Sequence, residues 1–518
     1  MPVGSAWLSL EPYPKMPLSR MLEWSAARYP NKAALITADG QEYTFARIWM
    51  AARRIARLLE ERGLARGDRV GILSPNCPEY GVVFHAILLA GGVATTLNPL
   101  YREREIEHQL NDSGAVALFH SRLHAPLIDA VRGQLPSVRH YFTIDDVWRL
   151  ADVVTGEPYP VVIDPDHDLA ALPYSSGTTG LPKGVKLTHF NLTSNIRQNL
   201  AVGLTDHYSV LLDFLPFFHI YGLSVLLNVG LAIGATQVIM PRFDLEQMFA
   251  LIQKHRVSNL FVAPPAMLAM ANLPDPSRFD TSSLNFILSG AAPMAPEVAQ
   301  RVSAMFGCTV LQGYGLTETS PTTNVNPLRR IKPASVGPPI SDTEEKVVHL
   351  ETGEELPPGE VGELLIRGPQ VMRGYWRQPE ATAECMTEDG WLRSGDIASM
   401  DEEGYVYIHD RKKEMIKYKG YQVAPAELEA LLLEHPQVRD AAVIPKRDAA
   451  AGEIPKAFVV LADGAAASPE ELMAFVAERV APYKKLRQVE FVDAIPKSLS
   501  GKILRRELIE KERAKEGG

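Results

Sequence analysis

The chain of 518 residues predicts an α/β fold, in which a large N-terminal domain combines α/β sheet layers with a β-rich subdomain and a small α+β C-terminal domain follows. Amphipathic helical patterns, such as residues 19–30 and 46–64, alternate with short apolar runs, such as 68–74 and 116–121. From residue 351 the pattern changes to hairpin-like strands and turns, which predicts the β-rich subdomain.

The chain is too long for one ordinary hydrophobic core, so we expect two or more domains. After Arg411 a charged stretch precedes a compact ending rich in Lys and Arg. We therefore place the main boundary between Asp410 and Lys413, which gives an N-terminal domain 1–411 and a C-terminal domain 412–518. The formal net charge of -9 and the pI near 5.9 argue against nucleic acid as a partner, because a phosphate polymer would be repelled.

Cysteine usage and the chain ends predict a cytoplasmic protein. The three cysteines have no metal-type spacing and fit a reducing compartment: Cys77, Cys308 and Cys385. The N-terminus lacks the pattern of a secretory signal, and the C-terminus lacks a peroxisomal SKL. The most apolar run, 222–235, is shorter than the roughly 20 residues that a bilayer requires. It predicts a buried helix, and we expect no integral membrane segment.

The stretch 174–185, YSSGTTGLPKGV, has the side chains of a phosphate-binding loop. It offers hydroxyl donors, glycines that allow close backbone approach and one lysine charge: Ser175, Ser176, Gly177, Thr178, Thr179, Gly180 and Lys183. An apolar run precedes it, and a helical pattern capped by Thr188 follows, which is a common setting for phosphate binding. The pattern differs from a Walker A loop, and a lone run of this kind is equally typical of a flexible turn.

Five further segments follow in order: LSGAAPM at 288–294, LQGYGLTETSP at 311–321, GWLRSGD at 390–396, DRKKEMIKYKGYQVAPAELE at 410–429 and PKSLSGKILRR at 496–506. With these motifs the chain resembles, from end to end, the adenylate-forming superfamily of acyl-CoA synthetases, luciferases and peptide-synthetase adenylation domains. LPFFHIYGL and IKYKGYQVAPAE are most similar to the 4-coumarate–CoA ligase and luciferase branch. The resemblance implies ATP, Mg²⁺ and coenzyme A as cofactors, and a C-terminal domain that moves between two half reactions.

Activation of a carboxylate by ATP brings two anions together, so the site needs cations and donors more than it needs a general base. Lys502, in the SGK segment, is our candidate for the catalytic lysine of adenylation, although basic C-termini are usually just solvated. Glu318 is the expected magnesium ligand, because a hard cation prefers carboxylate oxygen, and Thr178 is the second candidate ligand. A capping or surface glutamate is the alternative for Glu318.

The resemblance assigns the remaining nucleotide contacts. Thr317 matches a residue that contacts the α-phosphate. Two sets of small or flat residues would enclose adenine: Gln312, Gly313, Tyr314 and Gly315 on one side, and Gly290, Ala291 and Ala292 on the other. Asp396 and Arg411 match the pair that fixes the ribose. Tight backbone packing and a structural salt bridge are the respective alternatives.

The acyl and coenzyme A sites are also read from the resemblance. His219 matches a residue that gates the acyl pocket, although a hydrogen-bonded core histidine fits the same pattern. The pocket wall is expected to include Tyr221, Ser224, Val225 and Pro321. Lys413 matches the hinge, and the loop with Lys419 and Gly420 would face the thiol tunnel after rotation.

Three classes of function fit these observations. The leading interpretation is a cytoplasmic, ATP-dependent carboxylate–CoA ligase that acts on medium-chain or long-chain fatty acids. Residues 98–115 resemble bacterial fatty-acyl synthetases, and Val225 makes the pocket more apolar, which favours fatty acyl or unsubstituted aryl chains. An aryl-acid ligase of the 4-coumarate type, an enzyme that loads a carrier protein and a luciferase-like oxygenase are alternatives. A non-catalytic protein that binds acyl adenylates is the third interpretation. The expected partners are a small carboxylic acid, ATP and coenzyme A, and both a monomer and a homodimer stay open.

Overall fold

The computed structural model describes residues 7–175, 182–292, 294–419, 421–448, 451–499 and 501–516. Helices and strands alternate through the first three hundred or so residues, and antiparallel strands dominate the next section. The last section combines strands and helices around its own small core. The predicted α/β fold with a β-rich subdomain and an α+β C-terminal domain is confirmed.

The first sheet contains eight strands in the described part of the chain. Neighbouring strands are parallel except at the two edges, where the pairing is antiparallel. The order across the sheet is Thr322–Val325, Thr309–Gly315, Phe286–Ser289, Asn259–Val262, Val210–Asp213, Thr236–Ile239, Ala33–Thr37 and Glu42–Thr44. The carboxyl ends of the parallel strands lead into the segments that line the main cavity, as expected for α/β folds.

The second sheet contains six strands within the described ranges, and all but one of its pairings are parallel. Its order is Leu187–Thr188, Leu169–Ala171, Val93–Leu97, Arg69–Leu73, Ala115–His120 and His140–Thr143. The strand Arg69–Leu73 is central, because the chain leaves it first toward one edge and later toward the other. The segment that follows its carboxyl end contacts a loop of the first sheet.

Helices cover both sheets, and their buried faces follow the helical periodicity of the sequence. Phe45–Glu61 shows how: Thr44 caps its first turn by accepting the N–H of Arg47 at 3.2 Å, and Ile48 and Ile55 are fully buried. The other α-helices are Ser19–Arg28, Pro78–Leu89, Glu103–Ser113, Ala125–Val131, Val147–Val153, His189–Val202, Val229–Ile233, Leu245–His255, Pro264–Ala271, Pro296–Phe306, Pro379–Cys385, Pro425–Glu434, Pro469–Ala477 and Arg505–Glu516.

The apolar run at 222–235 is helical and buried, as predicted, but its first two turns form a π-helix, Tyr221–Asn228. Asn228 contributes to this wider turn, because its Nδ2 donates to the carbonyl oxygen of Leu223 at 2.8 Å. Among the described residues, no helix is both long and apolar enough to cross a bilayer.

Four antiparallel strands form the β-rich subdomain in the described ranges: Glu344–Val348, Gly362–Arg367, Leu392–Met400 and Val406–Arg411. The last two strands pair so that Asp396 lies directly opposite Arg411. The strand register therefore makes neighbours of two residues that belong to different sequence motifs.

The C-terminal section builds a separate sheet from Tyr421–Val423, Ile416–Tyr418, Gly452–Leu461, Val438–Asp448 and Gln488–Phe491. Leu428, Leu432, Leu472 and Val476 pack its core and are almost completely shielded from solvent. The final helix, Arg505–Glu516, begins three residues after Lys502, so the sheet and helix carry the lysine loop as one unit.

Candidate active site

A cavity of about 2230 Å³ lies between the first sheet, the β-rich subdomain and the C-terminal section. Its wall includes most of the residues that the sequence singled out: Ser175, Lys183, His219, Tyr221, Val225, Gly290, Ala291, Ala292, Gln312, Gly313, Tyr314, Gly315, Thr317, Glu318, Pro321, Asp396, Arg411, Lys413 and Lys502. Motifs that span more than three hundred residues of sequence therefore meet at one site.

Part of the predicted phosphate loop lies outside the described residues, namely Ser176, Gly177, Thr178, Thr179 and Gly180, and so does Gly420. The two flanks of the loop are described, and they pair as a short antiparallel ribbon, Tyr174–Ser175 against Lys183–Gly184. The predicted cap of the next helix is also present, since Thr188 Oγ1 accepts the N–H of Asn191 at 3.1 Å. These flanks direct Ser175 and Lys183 toward the cavity.

Glu318 lies in a short 3₁₀ turn, and its carboxylate is held by Tyr375, whose hydroxyl donates to Oε1 at 2.9 Å. The ammonium group of Lys183 lies 5.2 Å from the centroid of the same tyrosine ring. Burial and the nearby Glu318 charge raise the pKa of Tyr375, so the phenol stays protonated and remains a donor. The sequence reading missed Tyr375, because a single aromatic residue after a glycine carries no distinguishing pattern.

The donor set around Glu318 fits magnesium rather than a metal held entirely by protein. No cluster of three or more His, Cys, Asp or Glu side chains suited to a metal occurs in the described ranges. Mg²⁺ keeps several waters and phosphate oxygens, so one or two protein oxygens are sufficient to hold it. Glu318 supplies one carboxylate at the cavity wall.

Asp396 and Arg411 form an ion pair in the cavity wall, with Arg411 Nε 3.2 Å from Asp396 Oδ1. Asp396 is nearly inaccessible to solvent, and the hydroxyl of Tyr314 donates to its other oxygen. Burial raises the pKa of Asp396, and the Arg411 charge opposes that rise. The same carboxylate raises the pKa of Arg411, so the guanidinium is always charged. Tyr314 is thus fixed by a hydrogen bond that sequence reasoning did not anticipate.

Neighbouring atoms leave little space for a side chain at two glycine positions in the wall. A Cβ at Gly315 would overlap the carbonyl oxygen of Pro321, so this position cannot carry a side chain. A Cβ at Gly290 would lie 3.3 Å from the ring of Tyr221. Ala291 has a φ of 74°, a left-handed conformation that is uncommon for alanine and locally strained. Close packing therefore accounts for these small residues, and it also leaves a flat wall.

His219 is neutral at physiological pH. Burial, and secondarily the charge of Lys502, lower its pKa to about 3. Its Nδ1 accepts the backbone N–H of Tyr221 at 3.3 Å, which leaves the proton on Nε2. His219 can therefore donate one hydrogen bond from Nε2 to a group in the cavity.

Lys502 reaches the cavity from a turn of the C-terminal section. Its N–H donates to Ser498 Oγ at 3.1 Å, and its carbonyl oxygen accepts the N–H of Ser498 at 2.8 Å. Burial lowers its pKa to about 8, as does the charge of Arg411, whereas Glu318 opposes the change. At neutral pH the ammonium form therefore still dominates, near the Glu318 and Asp396 carboxylates.

The adjacent Gly501 shows how tightly this turn docks on the large domain. Its φ is 84°, and an added Cβ would lie 2.7 Å from Pro265 Cδ and 3.0 Å from Ala263 Cβ. A glycine is therefore needed both for the backbone conformation and for the contact.

Three of the predicted site residues differ from the others in their exposure or in their position relative to the cavity wall. Ser224 is fully buried in the π-helix, its hydroxyl has no hydrogen-bond partner in the part of the chain that the structure describes, and it does not belong to the described cavity wall. Lys419 is exposed outside that wall and has a φ of 48°, and its N–H donates to Ala451 at 2.9 Å. Lys413 is exposed in the turn that follows the strand Val406–Arg411.

Comparison with known proteins gives a consistent result. The family of AMP-binding enzymes matches residues 22–376, and the C-terminal domain of AMP-binding enzymes matches residues 427–502. A long-chain-fatty-acid–CoA ligase of Bacillus subtilis is 38% identical, over 97% of this chain and 95% of the relative. The 4-coumarate–CoA ligase 2 of Oryza sativa subsp. japonica is 41% identical, over 95% and 92%. ATP-bound MatB from Rhodopseudomonas palustris superposes with a TM-score of 0.88 at 30% identity, covering 96% of this chain and 99% of that one.

Proposed function

The chain belongs to the family of AMP-binding enzymes, and on that premise we propose that it joins a carboxylic acid to coenzyme A in an ATP-dependent, AMP-forming reaction. The carboxylate attacks the α-phosphorus of ATP, which forms an acyl adenylate and releases pyrophosphate. The thiol of coenzyme A then attacks the acyl carbon, which forms the thioester and releases AMP. One observation carries the proposal: the cavity brings Lys502 together with Glu318, Asp396 and Arg411.

In the first half reaction Lys502 would neutralise the carboxylate and the charge that develops on the α-phosphate, a task for a cation in a buried site. Thr317, Lys183 and the phosphate loop would bind the phosphates, and Asp396 with Arg411 would hold the ribose. Gln312–Gly315 and the facing Gly290–Ala292 would enclose adenine. Glu318, together with Thr178, would hold Mg²⁺, which neutralises phosphate charge when bound.

His219 would act by hydrogen bonding and not as a base, because its lowered pKa keeps it neutral. Its Nε2 proton can orient the substrate carboxylate, and a movement of the ring would open a path for the thiol. Tyr221 lies beside it against Gly290, so the two aromatic rings define the junction of the nucleotide and acyl parts of the cavity.

We propose that the domains are 1–411 and 412–518, and that the second rotates about Lys413 after adenylation. Rotation would remove Lys502 and would bring Lys419 and Gly420 to the coenzyme A side. One feature supports a movable contact: the Lys412–Glu363 ion pair at 3.0 Å, between the two proposed domains, is partly exposed. Such a pair is not expected to be strong enough to lock the orientation.

For the acid we propose a medium-chain or long-chain fatty acid. The wall beyond Tyr221 and Val225 also includes Phe261, Leu288 and Met294, which are apolar and buried. Such a wall suits an alkyl chain, and the Bacillus relative is named for long-chain fatty acids. An aryl acid of the 4-coumarate type is the second candidate, and the identity with the rice ligase favours it. A cytoplasmic location is proposed as well, since all three cysteines are unpaired.

The test is pyrophosphate release with ATP and Mg²⁺ over a panel of fatty and aryl acids, with and without coenzyme A, with products identified by mass. Acyl-CoA from the fatty acids alone would support the proposal, and acyl-CoA from the aryl acids alone would favour the second candidate. Pyrophosphate without acyl-CoA would point to a carrier protein or oxygen as the acceptor. The absence of pyrophosphate release with every acid in the panel would contradict the ligase function.

A further inference from the structure

The loop between Asp213 and His219 carries the histidine from the first sheet into the cavity wall. Phe217, in the middle of the loop, is completely buried, and its ring lies edge-on to Tyr80 with 5.7 Å between centroids. Buried backbone polar groups need hydrogen-bond partners, and an irregular loop lacks the ladder of a neighbouring strand. Side chains from elsewhere must therefore supply part of the bonding.

One side chain supplies three of these bonds. Asn76 follows the strand Arg69–Leu73 of the second sheet and is almost fully buried. Its Nδ2 donates to the carbonyl oxygens of Asp213 at 3.2 Å and Leu215 at 2.9 Å. Its Oδ1 accepts the N–H of Phe217 at 2.8 Å. Both amide hydrogens and the amide oxygen are used, so a carboxylate or a hydroxyl could not replace all three bonds.

A second side chain from the same sheet holds the residue before the histidine. Thr96, on the strand Val93–Leu97, donates from Oγ1 to the carbonyl oxygen of Phe218 at 2.7 Å. Asn76 and Thr96 therefore tie the loop at both ends of its buried section. The second sheet sets the position of a side chain that belongs to the first.

We propose that Asn76 is a positioning residue for His219, with Thr96 as its auxiliary. It acts through the loop and does not touch the substrate, so it belongs to a different class from Lys502 or Glu318. This inference rests on the proposed ligase function, in which the His219 ring orients the acid. A displacement of about 1 Å at a reacting group costs on the order of 100-fold in rate, which gives a small loop shift a large effect.

The experiment measures acyl-adenylate formation by Asn76→Ala and Thr96→Val with the acid preferred by the wild type. We expect kcat/KM for the acid to fall on the order of 10–100-fold in Asn76→Ala, while KM for ATP changes less than about threefold. In a His219→Ala background, Asn76→Ala should cost no more than about threefold further, because the two residues act through one group.

Gln198→Ala is the matched control, because Gln198 is also a fully buried amide, and its Nε2 donates to the carbonyl oxygen of Ser341 at 2.6 Å, away from this loop. It should lose thermal stability comparably and keep kcat/KM within about threefold. Additive effects of Asn76→Ala and His219→Ala, or an equal loss in Gln198→Ala, would overturn the inference.

Thr96→Val preserves side-chain shape, so it keeps the inference open to refutation if Asn76→Ala does not fold. An unchanged kcat/KM in Thr96→Val would then overturn it. A wild type that activates no acid would defeat the ligase function itself, and that outcome is separate from a failure of the Asn76 variants.

Discussion

The ribose side of the cavity and the lysine side are built in different ways. Asp396 and Arg411 are linked by strand register and an ion pair, Tyr314 donates a hydrogen bond to Asp396, and the Asp396 carboxylate is buried beside the Arg411 charge. Lys502 stands on a turn of the C-terminal section that touches the large domain through Gly501. The side proposed to hold the nucleotide is thus preorganised, whereas in the proposed mechanism the catalytic cation belongs to a unit that rotates away.

Removing the delivered cation should have the largest effect. In Lys502→Ala we expect adenylation to fall by about 10³-fold, because a charge near the reacting phosphate is lost, while thioester formation from supplied acyl adenylate is retained. The two half reactions are measured separately by pyrophosphate exchange and by acyl-CoA production. Lys497→Ala is the control, since Lys497 is on the same segment but pairs with Asp440 at 2.6 Å. Equal loss in both half reactions would contradict the assigned role.

Restricting the proposed hinge should slow the second half reaction and not the first. Lys413→Pro is expected to slow thioester formation on the order of 100-fold with adenylation largely retained, because proline fixes φ at the proposed pivot. Lys413→Ala removes the same charge without restricting the backbone, and it should leave both half reactions near wild type. If proline also leaves both untouched, rotation about this residue is wrong.

Removing the Asp396 charge should weaken ATP binding more than it slows the chemical step. Asp396→Asn leaves Arg411 without its charge partner, and we expect kcat/KM for ATP to fall on the order of 10–100-fold. The partly exposed pair of Arg367 and Glu344 in the same sheet provides the control, since Glu344→Gln should change ATP kinetics less than about twofold. An unaltered KM for ATP in Asp396→Asn would remove this pair from the nucleotide site.

Lys502 should also cause the rate of adenylation to fall at alkaline pH. Its pKa is lowered to about 8, so the ammonium form decreases as pH rises through that value, and the rate should fall about fivefold between pH 8 and pH 9. In Lys502→Arg any remaining activity should lack this limb, because arginine stays charged. A flat profile to pH 10 in the wild type would contradict a catalytic ammonium group.

The smallest effect should come from the phenol that holds Glu318. Tyr375→Phe removes one hydrogen bond, and we expect the Mg²⁺ concentration for half-maximal rate to rise about threefold to tenfold, with the rate at saturating Mg²⁺ nearly unchanged. Tyr405→Phe, which loses a bond to the carbonyl oxygen of Arg330, is the control. No change in the Mg²⁺ requirement would separate Tyr375 from the metal site.

Local chemistry explains what the sequence could predict. Thr188 caps its helix because a threonine before a helical pattern does so in most contexts, and the apolar run at 222–235 is buried because of its composition. The convergence of the motifs in one cavity followed from family resemblance. The fold class and the approximate place of the β-rich subdomain were predictable in the same way.

Long-range pairing explains what the sequence could not predict. Ser224 is buried within a π-helix, a form of helix that the sequence pattern did not predict. Asn76 and Tyr375 each form a hydrogen bond with a residue more than fifty positions away in the sequence, and the residues around them have no pattern that predicts this contact. The turn of Lys502 could be located in the sequence, but its steric match to Pro265 could not.

The docked turn at Gly501 affects how much ATP is consumed for each thioester formed. A mixed anhydride can also be attacked by water, and every molecule hydrolysed wastes one ATP. While the turn is seated, the C-terminal section forms part of the wall around the reacting centre and limits the access of bulk solvent. If the C-terminal section rotates as proposed, the yield of thioester per ATP depends on how rarely this contact opens in the absence of coenzyme A, which is a property of the interface and not of the bond being broken.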